Sequence, residues 1–195
     1  MTNLENKIDF AVVVSVKNAN PNGDPLNGNR PRENYDGCGE ISDVCLKRKI
    51  RNRMQDMGKQ IFVKSDDRSD DGFKSLKERA DACKPFADAV KKKDAEKAKE
   101  IACNEWLDVR SFGQLFAFKG DDASIGIRGP VSIHPAFSVD TVDVTATQIT
   151  KSVNSVPGAK KASDTMGMKY RVDFGVYVFY GSINCQLAEK TGFST

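Results

Sequence analysis

Apolar residues recur along this chain with two different periods. From Ile8 to Val16 they occupy both faces: Phe10, Val12, Val14 and Val16 on one, Ala11 and Val13 on the other. A run that is apolar on both sides predicts a central, buried strand. From Ser42 the period changes. Leu46, Ile50, Met54 and Met57 follow spacings of 4, 4 and 3, the stripe by which an amphipathic helix meets a core. Ser42 suits the start of that helix and Gly58 its end. Gln60 to Lys64 then reads as a short strand.

Residues 65–105 differ in character. SDDRSDDG is a polar, acidic hinge, followed by short helices, one opening near Pro85 and one capped by Asp94. Phe73, Leu76, Phe86, Val90, Ile101 and Trp106 give them modest apolar faces, and the KKKD run reads as a solvated face. Strand signals return in WLDVRSFGQLFAF and SIGIRGPVSIHPAF and continue to Val153. SVPGAKKASDTMGMK is a linker or hairpin tip. From Tyr170 to Cys185 the even positions Tyr170, Val172, Phe174, Val176, Val178 and Tyr180 are all apolar, a strong strand. After it, Ser194 and Thr195 read as a helix cap without its helix. The order of elements predicts an α+β fold with an RRM-like or ferredoxin-like core.

Composition narrows the class. A chain of 195 residues holds one domain with insertions, and 39% apolar with 29% charged residues excludes a disordered chain. No apolar run approaches the ~20 residues of a membrane helix, and MTNLENKIDF is no leader, so a cytoplasmic protein without membrane contact is expected. Cys38, Cys45, Cys83, Cys103 and Cys185 form no CxxC pair and read as reduced thiols. His134, the one histidine, reads as a structural strand residue. Neither a metal nor a cofactor is expected. The net charge of +3 is unremarkable; its distribution is not. Asp43 to Lys64 holds seven basic residues against two acidic ones, a local +5. Lys47, Arg48 and Arg51 fall on one flank of the predicted helix, Lys49 and Arg53 on the other.

The Asn, Gly, Asp and Pro of residues 18–32, NANPNGDPLNGNRPR, favour turns and left-handed backbone. This stretch resembles the signature N-x-N-P-N-G-D-P-x-x-G-N-x-P-R of the backbone subunits that coat the guide RNA in type I CRISPR interference (Cascade) complexes, closest to the type I-C branch. CLKRKIRN (45–52), LDVRSFGQLF (107–116), IRGPVSI (127–133) and MGMKYRVDFGVYVFYGSI (166–183) agree in the family's order. The resemblance implies a modified RRM core, the palm, begun by residues 1–64 and continued by 106–137. It implies helical fingers at 65–105, a β-hairpin thumb at 138–168, and a return to the palm at 169–195. Relatives close their core with a further helix and strand, so the chain is expected to be truncated at its C-terminus, with an apolar sheet face uncovered. The implied function is a non-catalytic scaffold on guide RNA. Its implied partners are further copies head-to-tail, other Cascade subunits, and target DNA through the guide.

A scaffold for any guide grips phosphate and ribose, which every sequence shares. The candidate RNA contacts are Asn20, Asn22, Arg30 and Arg32 in the loop, Lys47, Arg48 and Arg51 on the helix flank, Arg110, Ser111, Phe112 and Gln114, then Arg128, and Met166 at the end of the thumb. Arginine forks onto phosphate, Ser and Gln bond sugar hydroxyls, Phe112 stacks on a base, and Met166, beside Met168, acts as an apolar wedge. Each has a plainer reading: a solvated helix face, a bulge at Gly113 with Phe112 in the core, packing methionines. As surface cations, Arg48 and Arg51 are expected to be removable without loss of fold. Two other functions stay open: a metal-dependent ribonuclease using Asp24 or Asp36, and a generic single-stranded RNA module. The pairs Asp66/Asp67 and Asp70/Asp71 read as solvated hinge.

Overall fold

The computed structural model describes residues 4–118, 124–150 and 166–194. In chain order the elements are β1 (Ile8–Ala19), a small hairpin of β2 (Gly23–Asp24) and β3 (Arg30–Pro31), β4 (Cys38–Ile41) and helix α1 (Asp43–Asp56). Helices α2 (Leu76–Ala82), α3 (Lys84–Lys91), α4 (Ala95–Glu105) and α5 (Leu107–Phe112) follow. Then come β5 (Gly113–Phe116), β6 (Ile125–Arg128), β7 (Val131–Ile133), β8 (Ala136–Thr141), β9 (Val144–Thr150), the long β10 (Met166–Ile183) and α6 (Cys185–Thr191). The fold is mixed α/β. The chain divides into two compact units, one of Met1–Phe10, Leu46–Ile133 and Gly181–Thr195, the other of Ala11–Cys45 and His134–Tyr180.

In the second unit the strands run in the order β1-β10-β8-β4. Tyr177 lies opposite Ser138 and Val178 opposite Phe137, while Ile41 lies opposite Ala136, all antiparallel. Strand β1 is therefore an edge, not the central strand its two apolar faces predict, and Val13 on it is 66% exposed. Strand β9 pairs with β10 from Thr150 opposite Met166 to Val144 opposite Val172, a hairpin where the thumb is expected; residues 151–165 between them lie outside the described residues.

Alternation gives this sheet one packed and one open face. Tyr177 and Phe179 are buried on one side. Beneath Tyr177 lies Gly39, where any Cβ would collide with the tyrosine hydroxyl, so only glycine fits. On the other side Phe137, Val139, Phe174 and Tyr180 are all exposed, and register places Val176 and Val178 among them. From Phe174 to Tyr180 the apolar even positions of β10 thus mark the face that this structure leaves open, while Val172 before them is fully buried.

The first unit is built around aromatic rings. Phe62, Phe86, Trp106 and Phe116 interlock with centroids 4.7–6.1 Å apart, tilted or edge-on as their quadrupoles prefer. Buried Ala80, Ala89, Ala98 and Ala102 let the helices approach closely. The expected helices form, with Ser75 capping α2, Pro85 in the first turn of α3 and Asp94 capping α4. Their apolar residues join Phe62, Trp106 and Phe116 of the flanking segments in one core.

Four local expectations are corrected. Leu107–Phe112 is a helix, with only Gly113–Phe116 a strand, although Leu107 and Val109 mimic strand alternation. Gln60–Lys64 forms no strand, because its backbone is bonded by side chains. Met57 is 60% exposed, since α1 has ended at Asp56. A helix does follow β10: Asn184, rather than Ser194, is its cap, accepting from Leu187 N at 2.9 Å, and Gly192 ends it in left-handed backbone (φ 69°). No helix among the described residues is long and apolar enough to cross a membrane.

An open apolar face binds dyes and other chains. Phe174→Lys is expected to lower anilinonaphthalene-sulfonate fluorescence and concentration-dependent light scattering while changing unfolding free energy by no more than about 0.5 kcal/mol, because the ring is already in solvent.

Candidate nucleic-acid interface

Residues 60–63 set the geometry of the first unit. Ile61 and Phe62 are buried, yet no neighbouring strand takes up their polar groups. A buried amide without a partner costs about 1–3 kcal/mol, and the chain meets this cost with side chains. Asp108, fully buried on α5, accepts Phe62 N at 2.6 Å and Val63 N at 3.1 Å. Arg79 Nη1 donates to Phe62 O at 2.9 Å, Arg48 Nη1 to Val63 O at 2.7 Å, and Leu107 N to Gln60 O at 2.9 Å.

Two arginines of the basic helix therefore point inward at one edge. Ser42 caps α1 through Cys45 N as expected, and Leu46 anchors it. Three residues apart, Arg48 and Arg51 project from one flank. Arg51 Nε donates to Asp108 Oδ2 at 2.9 Å, and its guanidinium carbon lies 5.1 Å from the centroid of the Phe112 ring. Arg48 meets only a neutral carbonyl. Burial, and next the Arg51 cation beside it, lower Arg48 from the ordinary guanidinium value, with Asp108 and Asp67 opposing. The other guanidinium nitrogens of both residues make no hydrogen bond among the described residues, and none is sealed from solvent. Lys47 is half-buried and interacts within the chain.

Phe112 leads from this pair to a third cation. Gly113 lies opposite Arg128, and Gln114 opposite Ile127, in the β5–β6 ladder. The approach requires glycine on both sides. Gly113 has φ +79°, and a Cβ there would strike Ile127 O, while one on Gly129 would strike Ser111 O. Phe112, Gly113, Gln114, Leu115, Ile127 and Arg128 line an open depression of about 520 Å³. Arg128 is exposed, with no ion pair or hydrogen bond among the described residues. Arg48, Arg51, Phe112, Gln114 and Arg128 are thus brought together. Arg110 and Ser111 are turned inward: Arg110 donates to Cys103 O (2.6 Å) and Asn104 O (3.0 Å), closing the end of α4, and the buried Ser111 hydroxyl donates to Leu107 O at 2.7 Å.

In the second unit the asparagine-rich loop folds on itself. Asn22 Oδ1 accepts the amide and hydroxyl of Ser42, each at 2.9 Å. Asn20 Nδ2 donates to Asn29 O at 2.7 Å. Asp24 accepts from Leu26 N and Arg32 Nη2, so the carboxylate considered for cleavage shapes a turn. Arg30 lies 5.8 Å from the Tyr170 ring centroid and 3.7 Å from Glu33. Asp36 is exposed, as is His134, which sits between strands β7 and β8 rather than in one. Met166 is 57% exposed on the hairpin, near Gln148. The five cysteines are free thiols, and no cluster of three or more metal-binding side chains occurs among the described residues.

A family model for CRISPR-associated protein Cas7 matches residues 6–195. The chain belongs to the Cas7 family. A curated relative, the CRISPR-associated protein Cas7 of Haloferax volcanii, is 30% identical over 212 aligned positions, which cover all of this chain and 61% of the relative. The chain spans about three-fifths of that relative's length. Among solved structures, a chain of a pre-nicking CRISPR RNA-guided surveillance complex has a similar fold, with a TM-score of 0.58 at 17% identity, covering 96% of this chain and 67% of that one.

Sequence reasoning missed Asp108, whose only signal is an acid set among Trp106, Leu107 and Val109 in an otherwise apolar run. It also read the hinge acids as solvated. Asp71 instead takes both Arg79 Nε (2.7 Å) and Nη2 (3.0 Å), with Lys64 at 3.1 Å, and Lys64 reaches Asp70 at 2.6 Å. The Arg79 hydrogen bonds hold the Asp71 carboxyl far below the ordinary carboxylate range, against the opposing effect of burial. A carboxylate depressed on folding stabilises at pH above its unfolded value, ~3.9, and loses that contribution as pH falls further. Asp71→Asn is expected to cost about 3 kcal/mol at neutral pH, because it strands the buried Arg79. It should also flatten the acid limb of stability below pH ~3.9, both read from urea unfolding at a series of pH values.

Proposed function

We propose that this Cas7-family chain is a non-catalytic subunit that coats CRISPR guide RNA through its phosphates. The observation that carries the reading is the pair Arg48 and Arg51. Two adjacent cations are half-buried, one of them bonded to nothing more acidic than a carbonyl, and both have free N–H groups. The two cations share the one buried carboxylate of Asp108, and a phosphate supplies a further anion with matching fork geometry. Arg128 and the Phe112–Gln114 depression extend the track, offering a third cation and an aromatic face for a base. None of these contacts reads a base edge, as a scaffold for arbitrary guides requires.

On this reading the palm is RRM-like, the β9–β10 hairpin is the thumb, and Met166 lies on the part that reaches over the RNA. The loop residues Asn20, Asn22, Arg30 and Arg32 act by shaping their turn, leaving backbone amides for phosphate. Further copies of the chain follow head-to-tail along one guide, joined by other subunits of the complex, and the guide pairs with a target DNA strand. Arg110 and Ser111 support the track from within.

Because Arg51 neutralises the buried Asp108, its removal costs stability as well as charge, contrary to the expectation from sequence that Arg48 and Arg51 are dispensable for folding. Cleaner variants are Arg128→Ala, which removes no side-chain hydrogen bond or ion pair among the described residues, and Arg48→Gln, which can still donate to Val63 O. Each is expected to reduce the slope of log affinity against log salt by about 0.7, the release from one phosphate of a single strand. Binding measured by fluorescence anisotropy on unstructured RNAs of equal length should show no preference among sequences. Parent-like slopes in both variants would remove the track from this surface.

A further inference from the structure

We infer that Asp108 is a positioning residue for RNA binding: it aims Arg51 at the phosphate track, and the affinity of the site depends on this buried acid although it never touches RNA. The inference rests on the reading just given, and goes beyond it by assigning a role to a residue that carries the wrong charge for the ligand.

A free arginine has four side-chain torsions and points its fork in many directions. Here the fork is fixed at three points. Asp108 Oδ2 holds the Nε edge at 2.9 Å. The Phe112 ring lies against the guanidinium, 5.1 Å from its carbon. The Cα is fixed by α1. With Nε engaged, the two terminal nitrogens remain as the presented edge, and they are unpaired among the described residues and open to water. A planar fork so held loses little further freedom on binding a phosphate.

Asp108 is itself immobile. It is fully buried, and its oxygens are fixed by the amides of Phe62 and Val63. Val63 also receives Arg48, so one short segment sets the position of both cations. The negative charge has a second effect. It offsets the repulsion between Arg48 and Arg51, which otherwise would drive the two forks apart. Two guanidinia kept close can then share one strand of phosphates.

The test compares Asp108→Asn, Arg51→Gln and the double variant, using a fluorescein-labelled, unstructured single-stranded RNA across a salt series. Folding of each is checked by circular dichroism and thermal melting. Asp108→Asn removes no cation, so a purely structural role moves the melting temperature and leaves the salt slope at the parent value. Positioning instead predicts an affinity loss of about tenfold at low salt and a slope reduced by about 0.7, as in Arg51→Gln. The double variant should lose no further slope, because both changes remove the same contact. A parent-like slope in Asp108→Asn, or slope losses that add in the double variant, overturns the inference while leaving phosphate binding intact. Should Asp108→Asn fail to fold, Phe112→Leu releases the other side of the fork and carries the same expectation, and a parent-like slope there overturns it equally. Absence of salt-dependent binding in the parent chain overturns the underlying reading, and the inference with it.

Discussion

A buried stretch of backbone with no strand beside it is the constraint on which the first unit depends. Buried Ile61 and Phe62 carry the backbone of residues 60–63 into the core, where its polar groups require partners. The chain meets them with charged side chains from three elements: Asp108 from α5, Arg48 from α1 and Arg79 from α2. Charge so used requires compensation. Arg79 receives it from Asp71, and Asp108 from Arg51. Arg48 receives none directly, and this is the imbalance that the proposed phosphate contact would meet. The site is therefore a by-product of how the backbone is satisfied, with the same guanidinium serving the fold through one nitrogen and the solvent through the others.

This arrangement predicts that the region is intolerant of simple deletion. A buried ion pair stabilises little relative to an apolar pair of the same shape, but losing one member leaves a desolvated charge behind. Asp108, Arg51 and Phe112 form such a unit, and Asp71, Arg79 and Lys64 another. Both lie against the same four residues. Alanine at any of these positions mixes a stability loss with any loss of binding. Substitutions that keep the hydrogen bond and remove the charge, or a cation such as Arg128 that holds nothing together, separate the two.

Much of the fold was legible in the sequence where a local signal and the tertiary requirement agree. Ser42 before the Leu46 stripe, Asp94 at a helix start, and Pro85 in a first turn all mark helices that form. The β9–β10 hairpin lies where the family resemblance implies a thumb, around a stretch whose composition alone left linker and hairpin tip both open. Legibility failed where a distant partner decides. Gln60–Lys64 has the composition of a strand, but its hydrogen bonds go to Asp108, 45 and 46 residues away. LDVRSF alternates like a strand, yet burying Asp108 beside those amides fixes a helical turn. The apolar face of β10 was read from its even positions, but a pattern of period two states only that the faces differ, not which one is covered.

The candidate site divides along the same line. Residue type and helical spacing were enough to place Arg48 and Arg51 on one flank of the helix. They were not enough to sort anchors from contacts. Arg110 and Arg128 look equivalent in sequence, each beside an apolar strand and a glycine. The first closes the end of α4 with its Nε and Nη2 groups, and the second stands free across from Gly113. What distinguishes them is whether a carbonyl lies within reach, a property of the packed chain. The same holds for the loop motif, whose asparagines spend their amides on Asn29 and Ser42. A motif of this kind specifies a shape first. Asn20 Nδ2 and Asn22 Oδ1 are used in holding the turn, so on the proposed reading what the motif offers a ligand comes chiefly from the backbone that the turn exposes.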